Sequence, residues 1–265
     1  MAPQRGMRIM SLKLTEGWNI PASQPFYPAL PAIYRNVRMQ FVFFHASPQA
    51  VEAMLPEPLK PSDEGLCVAG GIDVPFCTSY GAFQESLILM KCRFQQQEGF
   101  YCSHVFHNGP AGIAAGREIY GTPKVYADVT FQQLERTVRT ETSFAGAPLL
   151  SIHSTVEKSS PADSIPSMVP AWRLKIIPRA DGPGPAIKQL IDCTNVTQNL
   201  TIHFAAEGKG HLQLGRSPVF DLASLAPVCY GKAFYMECSY AEGYARIVYD
   251  YLAPGSDNSS ASSAS

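Results

Sequence analysis

The most regular feature of the chain is a series of short apolar segments separated by turn residues. Residues 35–44, RNVRMQFVFF, are rich in aromatic and β-branched side chains, which is typical of a strand. Similar segments are predicted as strands at 67–74, 85–94, 99–106, 124–131, 141–144, 149–157, 173–177, 198–204, 210–214 and 234–240. The 20 glycines and 22 prolines that punctuate them favour an antiparallel sheet system closed into a barrel or a sandwich.

A few short helices are expected beside these strands. Ser47 and Pro48 supply an N-cap and a first-turn proline for a helix that runs to Leu55. The glycine- and alanine-rich segment 108–120 suits a short helix or a tight loop. A last helix is predicted over 242–251, EGYARIVYDY.

The chain is divided into three regions by composition. Residues 1–33 form a proline-rich N-terminal arm, 34–252 form one domain, and 253–265 contain so few apolar side chains that they are expected to be disordered. Of the 265 residues, 46% are hydrophobic, which is enough for a full core without disulfide or metal support.

Charge and cysteine usage narrow the possible partners and the compartment. With 21 basic and 22 acidic residues and no basic cluster, a nucleic-acid partner is not expected. The seven cysteines lack a Cys-x-x-Cys pair, and their odd number prevents complete internal pairing. Buried thiols in a reducing compartment are expected. Because no segment has the uncharged apolar length of a membrane span, we expect a soluble, cytoplasmic protein with no membrane partner.

Metal and nucleotide chemistry find little support. His104 and His107 are the only close histidine pair, and an i, i+3 spacing in a strand points their rings to opposite faces. The chain contains no nucleophile elbow, phosphate-binding glycine loop or dinucleotide fingerprint. Neither a metal site nor a cofactor is therefore predicted.

Lys124 stands in an unusual setting, the stretch GREIYGTPKVYADV. An exposed lysine with a pKa of ~10.4 is a free amine in only roughly one molecule in two thousand at pH 7. Burial among apolar neighbours such as Tyr120, Val125 and Tyr126 would lower that pKa and make the amine a nucleophile. From the residues alone, a protective charge on an edge strand remains the simpler reading of this lysine.

The segment GREIYGTPK, 116–124, resembles the signature of the acetoacetate decarboxylase superfamily, in which the lysine after the proline forms a Schiff base with a ketone. Further landmarks in the same order are LPEPL at 55–59, NGPA at 108–111, LKIIP at 174–178, HLQL at 211–214 and VYDYL at 248–252. The resemblance covers about 34–252. It implies a strand-dominated α+β fold, an antiparallel closed barrel or cone with a few short helices, and assembly as a homo-oligomer.

The resemblance also implies site residues around Lys124. The family's active-site carboxylate falls on Glu85, and the separation 124 − 85 = 39 equals the family spacing. The arginine that holds the substrate carboxylate aligns within one residue of Arg38, with Arg35 as the alternative. A one-residue slip in a strand turns a side chain to the other face, so the choice between them stays open.

Departures from the decarboxylase pattern concentrate near the lysine. Val125 replaces a second lysine that neighbours the Schiff-base lysine in the decarboxylase, which leaves desolvation to activate the amine. The decarboxylase is a known example of a lysine made nucleophilic by desolvation or by a neighbouring cation, and Val125 removes the second of these routes here. Tyr120 occupies a position that faces the substrate in relatives and is predicted to bind substrate, as is Phe106. Thr122 stands where the family often has an aromatic residue.

Three functions follow from the resemblance and these departures. The first is decarboxylation of a β-keto acid through an iminium on Lys124, with Glu85 assisting proton transfers and Arg38 orienting the carboxylate. The second is a pyruvate aldolase-dehydratase that uses the same lysine. The third is a non-catalytic binder of a lipophilic ketone or a metabolic intermediate. In the first two, the partner is a small keto-acid substrate.

Overall fold

A computed structural model describes residues 17–253 of the chain. Strands dominate this part, and their bounds are β1 (Ala32–His45), β2 (Lys60–Pro61), β3 (Leu66–Val74), β4 (Phe76–Cys77), β5 (Phe83–Phe94), β6 (Gln97–His107), β7 (Lys124–Tyr126), β8 (Asp128–Leu134), β9 (Thr137–Phe144), β10 (Ala147–Ser159), β11 (Ala171–Pro178), β12 (Pro185–Asp192), β13 (Thr197–Leu214), β14 (Cys229–Glu242) and β15 (Arg246–Asp250). The helical segments are α1 (Pro48–Glu52), α2 (Pro110–Ala115), a π-helix (Gly116–Tyr120) and two 3₁₀ turns (Ala162–Ser164 and Ala223–Leu225).

One sheet contains all of these strands. Its order is β15-β12-β11-β6-β5-β3-β1-β14-β13-β10-β9-β8. Three short strands pair outside this order: β2 with β5, β4 with β1 and β7 with β6. Most pairs are antiparallel, but β6 pairs in parallel with both β7 and β11. Within residues 17–253 no pairing joins β15 to β8, so the expected closed barrel is not confirmed.

All of the predicted strands are present, with changed bounds. Residues 124–131 are divided into β7 and β8, and the segments 198–204 and 210–214 merge into the long β13. Strand β12 was not predicted, because a segment that begins with proline and contains Lys188, Gln189 and Asp192 lacks clear apolar alternation.

The helices were predicted less well than the strands. The helix after Ser47 is confirmed, since the Ser47 hydroxyl accepts a hydrogen bond from the Ala50 N–H at 3.1 Å, but it ends at Glu52. The helix over 242–251 is wrong, because β14 extends to Glu242 and β15 follows. The β-branched and aromatic side chains of β15 pair along β12, where Tyr249 lies opposite Leu190.

The sheet is buried on both faces. Along β1, Phe41 belongs to one apolar cluster, whereas Val42 and Phe44 belong to the cluster on the other face. All seven cysteines are free; six are buried and Cys229 is exposed. The predicted disordered tail and the first half of the proline-rich arm lie outside the described residues. In the described range, none of the helices has the length and apolar character to cross a membrane.

Candidate active site

Lys124 and Glu85 form an ion pair on one face of the sheet. Lys124 begins β7 and lies opposite Val105 of β6, while Glu85 in β5 lies opposite His107 of β6. The Lys124 Nζ atom is 2.9 Å from Glu85 Oε2, and each side chain is only 13% exposed. The two residues that the sequence places 39 positions apart are therefore in direct contact.

The turn before β7 is built so that the Lys124 side chain has room. A Cβ atom on Gly116 would lie 2.8 Å from Lys124 Cδ, which is closer than side-chain atoms pack. Arg117 donates a hydrogen bond to the Lys124 carbonyl at 3.1 Å, and the Glu118 carboxylate accepts one from the Tyr27 hydroxyl at 2.5 Å. Gly116 and Arg117 thus act on the lysine directly, whereas Glu118 ties the π-helix to Tyr27.

Gly121 ends the π-helix in the left-handed conformation, with φ of 71°. A Cβ atom there would lie 2.4 Å from the Cα of Lys175 in β11, so the π-helix packs directly on that strand. Glycine meets both demands, because it has no Cβ and adopts positive φ without strain.

The ion pair is set in a low-dielectric environment with an uncharged histidine beside it. Burial is the largest single influence and raises the pKa of Glu85, but Lys124, His107 and Arg173 together outweigh it and hold that pKa below its usual value. Burial, with Lys124 nearby, lowers the pKa of His107 to about 3. The Gly109 N–H donates to His107 Nδ1 at 2.8 Å, so the ring proton is on Nε2, 3.7 Å from Glu85 Oε2.

A cavity of about 380 Å³ extends from this pair. Four charged residues line it, and they are Glu85, Lys124, Arg173 and Glu242. The rest of the lining is largely apolar, with tyrosines 34, 80, 120 and 240 among it. Such a space, mostly apolar with a few converging polar groups, is typical of a site for a small organic ligand.

Arg173 is the second cation of the cavity. It lies in β11, beside the segment of β6 that contains Cys102, and its guanidinium carbon is 5.6 Å from the centroid of the Tyr120 ring. Its Nε atom is buried, and among the described residues it has no hydrogen-bond partner. A buried N–H of this kind is costly unless a ligand accepts from it. An anion such as a carboxylate would satisfy it.

The predicted site residues are divided between this cavity and other places. Lys124, Glu85 and Tyr120 line the cavity. The Tyr120 hydroxyl donates to the Gly243 carbonyl at 2.7 Å, which fixes the ring as part of the wall. Phe106 does not line it; its ring packs in the core on the opposite face, 5.3 Å from Phe220.

Neither of the predicted arginines lines the cavity. Arg38 pairs with Asp73 at 2.8 Å and lies over the Phe131 ring, and Arg35 lies over the Phe76 ring. A bulge between Tyr34 and Val37, with Asn36 at φ of 54°, shifts the register of β1. After the bulge Met39 and Phe41 face the cavity.

Arg173 and Glu242 were not singled out from the sequence. Arg173 immediately precedes the LKIIP landmark, and its charge within an otherwise apolar strand could have indicated a site residue. Glu242 accepts a hydrogen bond from the Tyr34 hydroxyl at 2.7 Å. In the described part of the chain, no group of three or more histidine, cysteine, aspartate or glutamate side chains could hold a metal ion.

The similarity to known proteins covers nearly all of the described residues. The sequence profile described as acetoacetate decarboxylase (ADC) matches residues 19–252. Acetoacetate decarboxylase 2 of Mesorhizobium japonicum is 27% identical over 242 residues, which cover 88% of this chain and 89% of that protein.

Two solved structures share the fold. The acetoacetate decarboxylase of Legionella pneumophila superposes with a TM-score of 0.81 at 24% identity and covers 92% of this chain and 100% of its own. The enduracididine biosynthesis enzyme MppR, complexed with pyruvate, superposes with a TM-score of 0.76 at 18% identity, covering 89% and 98% of the two chains.

Proposed function

The chain belongs to the acetoacetate decarboxylase family, a family of lyase-type enzymes, and from this premise we propose that it decarboxylates a β-keto acid through a Schiff base on Lys124. The observation that carries the proposal is the 2.9 Å ion pair between Lys124 and Glu85 at the wall of a largely apolar cavity. The pair provides a nucleophile and a proton acceptor in contact, as covalent catalysis by an amine requires.

Glu85 moves the proton in the first steps. It accepts a proton from the Lys124 ammonium, and the free amine attacks the ketone carbon. The resulting acid returns the proton to the carbinolamine hydroxyl, which leaves as water and gives the iminium. Because the pKa of Glu85 is held below its usual value, the protonated acid gives its proton up readily to the carbinolamine hydroxyl, and attack of the free amine on the ketone draws the first transfer forward.

The bond between the α-carbon and the carboxylate then breaks. Its electrons move into the iminium, so that carbon dioxide leaves and an enamine remains. Protonation of the enamine carbon and hydrolysis release the ketone and regenerate the amine. One proton is consumed overall, as RCOCH₂COO⁻ and H⁺ become RCOCH₃ and CO₂. His107 remains neutral in these steps, since its pKa is held at about 3.

Arg173, rather than Arg38, is our candidate for the residue that binds the substrate carboxylate. It lines the cavity, and its charge contributes to the lowered pKa of Glu85, which requires it to lie near that carboxylate. Its buried Nε without a partner among the described residues provides a donor for a carboxylate oxygen. Arg38 already has Asp73 as its partner.

A pyruvate aldolase-dehydratase is the second candidate. The fold shared with MppR, which was solved with pyruvate, favours keeping it. In that reaction the enamine of pyruvate attacks an aldehyde and water is lost, so the carboxylate stays on the product. Release of carbon dioxide distinguishes the two reactions.

The deciding experiment supplies carboxyl-labelled acetoacetate and, separately, pyruvate with an aldehyde, and measures labelled carbon dioxide and product masses. We expect carbon dioxide and acetone from the first mixture. Lys91→Ala is a matched control, because Lys91 is also a half-buried lysine with a glutamate partner, at 3.2 Å from Glu98, and does not line the cavity. Loss of activity in Lys124→Ala but not in Lys91→Ala is the expected pattern.

Other outcomes would redirect the assignment. A condensation product from pyruvate without carbon dioxide would favour the aldolase-dehydratase. Ketone binding without turnover of either substrate would favour a non-catalytic binder.

A further inference from the structure

The cavity is larger than a four-carbon keto acid needs. With bonds of about 1.5 Å, the carbon chain of acetoacetate spans roughly 5 Å. The cavity volume is about 380 Å³, which falls in the range of roughly 300–1,000 Å³ typical of sites for drug-sized ligands. Most of the space therefore remains after the keto acid itself is seated at Lys124.

An apolar floor leads away from Glu85 across three strands. Glu85 in β5 pairs with Ile72 in β3, Ile72 pairs with Met39 in β1, and Met39 pairs with Met236 in β14. Directly paired residues point to the same face, and all four line the cavity. With strands about 4.8 Å apart, this row extends for about 14 Å.

The strand order determines which end of a substrate meets this floor. In the order β11-β6-β5-β3-β1-β14, Arg173 of β11 lies on one side of Glu85 and Met236 of β14 lies on the other. A carboxylate held by Arg173 and a ketone carbon at Lys124 leave the second substituent of the ketone directed over β3, β1 and β14.

The rest of the cavity lining is rich in apolar side chains as well. Met168, Val196 and Leu200 line the cavity from the segments around β11 and β13, and Phe41 and Leu87 extend the floor. Three of the lining residues are methionines, whose flexible side chains adapt to chains of different shape. These apolar side chains stabilise a hydrocarbon group and offer little to a charged one. Glu242, the charged residue that lines the cavity from β14, already accepts a hydrogen bond from the Tyr34 hydroxyl.

We infer that the substrate is a β-keto acid whose ketone carbon carries a long hydrocarbon chain, and that acetoacetate fills only the charged end of the cavity. This inference rests on the proposed decarboxylation for its chemistry. The chain would lie along Ile72, Met39 and Met236, with the carboxylate at Arg173.

The first test measures kcat/KM for 3-oxo acids of increasing length, from acetoacetate to 3-oxododecanoate. Each buried methylene should raise kcat/KM about fourfold, by the usual free energy of methylene burial, until the floor is filled. A maximum at a medium or long chain is the expected result. A steady fall in kcat/KM from acetoacetate onward would overturn the inference and leave the decarboxylation intact.

A pair of variants locates the effect. Met39→Phe thickens the floor, so the ratio of kcat/KM for the best long acid to that for acetoacetate should fall at least tenfold. Met54→Phe is the control, since Met54 packs against the other core cluster and does not line the cavity. Equal ratios in the two variants would contradict the placement of the chain.

A binding measurement keeps the inference testable even if no keto acid is turned over. In Lys124→Ala no imine can form, so the rise in melting temperature caused by methyl ketones of increasing length reports binding to the floor alone. The rise should grow with chain length. Equal shifts for short and long ketones would overturn the inference, whatever the fate of the proposed reaction.

Discussion

At the residue scale, two arginines of the same chain have contrasting surroundings. Arg173 lines the cavity with a buried, unpartnered Nε within the described structure, whereas the Arg38 side chain is 39% exposed and already paired with Asp73. Both side chains are positively charged, but only Arg173 offers a buried N–H that is still able to donate a hydrogen bond to a substrate carboxylate.

This contrast predicts different kinetic effects. Arg173→Met should lower kcat/KM for a keto acid ten- to hundredfold, since a hydrogen bond to a charged group contributes about 1.5–3 kcal/mol. Arg38→Met should change kcat/KM little and should instead lower stability, because the buried Asp73 loses a partner. Steady-state kinetics of both variants test this, and an equal loss in the two would contradict the choice of Arg173.

Gly116 gives a second prediction at this scale. In Gly116→Ala the new methyl group would displace the Lys124 side chain from its position beside Glu85. Because a shift of about 1 Å can reduce catalysis a hundredfold, we expect kcat/KM to fall ten- to hundredfold with little loss of stability. Gly182→Ala is the control, as its Cβ would meet no atom within 4 Å. Full activity in Gly116→Ala would show that the lysine position is not critical.

At the scale of elements, the π-helix from Gly116 to Tyr120 and the strand β7 together aim the lysine. The π-helix ends at Gly121, whose Cα packs against β11, the strand that also carries Arg173. The turn at Gly121 packs closely on β11, so this contact fixes the position of Lys124 relative to Arg173.

Substitution of two glycines distinguishes how much this contact and the backbone conformation each contribute to stability. Gly121 and Gly146 both have positive φ, 71° and 80°, but only at Gly121 would a Cβ meet another strand. Alanine should destabilise both positions, and Gly121→Ala should cost about 1–3 kcal/mol more because of overpacking. Denaturant unfolding of both variants measures the difference, and equal free energies of unfolding would disprove the packing argument.

The elements also show what can be read from the sequence. The contact between Lys124 and Glu85 could be anticipated, because the resemblance to the family signature and a gap-free spacing of 39 residues pair these two positions without coordinates. The face of β1 on which Arg38 lies could not be predicted from the sequence, because a bulge at Asn36 reverses which β1 side chains line the cavity. The strand β15 was mistaken for a helix because a short apolar segment fits both periods.

At the scale of the whole molecule, pairing between distant strands assembles the site. Arg173 and Glu242 reach the cavity from β11 and β14, which lie on opposite sides of β5 in the sheet order. Nothing local in the sequence encodes that order, so these two residues required the fold. The strand-rich content was predictable from the sequence, whereas the lack of pairing between β15 and β8 within the described residues was not.

The buried His107 predicts how stability depends on pH. Its folded pKa of about 3 is below the ordinary value of 6.5, so between these values the unfolded chain binds the extra proton. His107 should therefore lower the free energy of unfolding by up to about 1.4 kcal/mol for each pH unit lowered from 6 to 4. Burial lowers the pKa of His104 in the same direction.

Urea unfolding at several pH values measures this slope, and an NMR titration of the His107 ring isolates its share. The ring resonances should stay constant from pH 8 to pH 5. A flat stability curve over the same range, or a His107 titration near pH 6.5, would contradict the neutral, buried assignment.

The most direct test of the central claim is borohydride trapping with acetoacetate, followed by peptide mapping by mass spectrometry. If Lys124 forms the iminium and carbon dioxide then leaves, the peptide that contains Lys124 should gain the mass of a reduced acetone adduct, in the wild type and in Lys91→Ala alike. An unmodified Lys124 peptide, under conditions in which a known Schiff-base enzyme is trapped, would contradict the account.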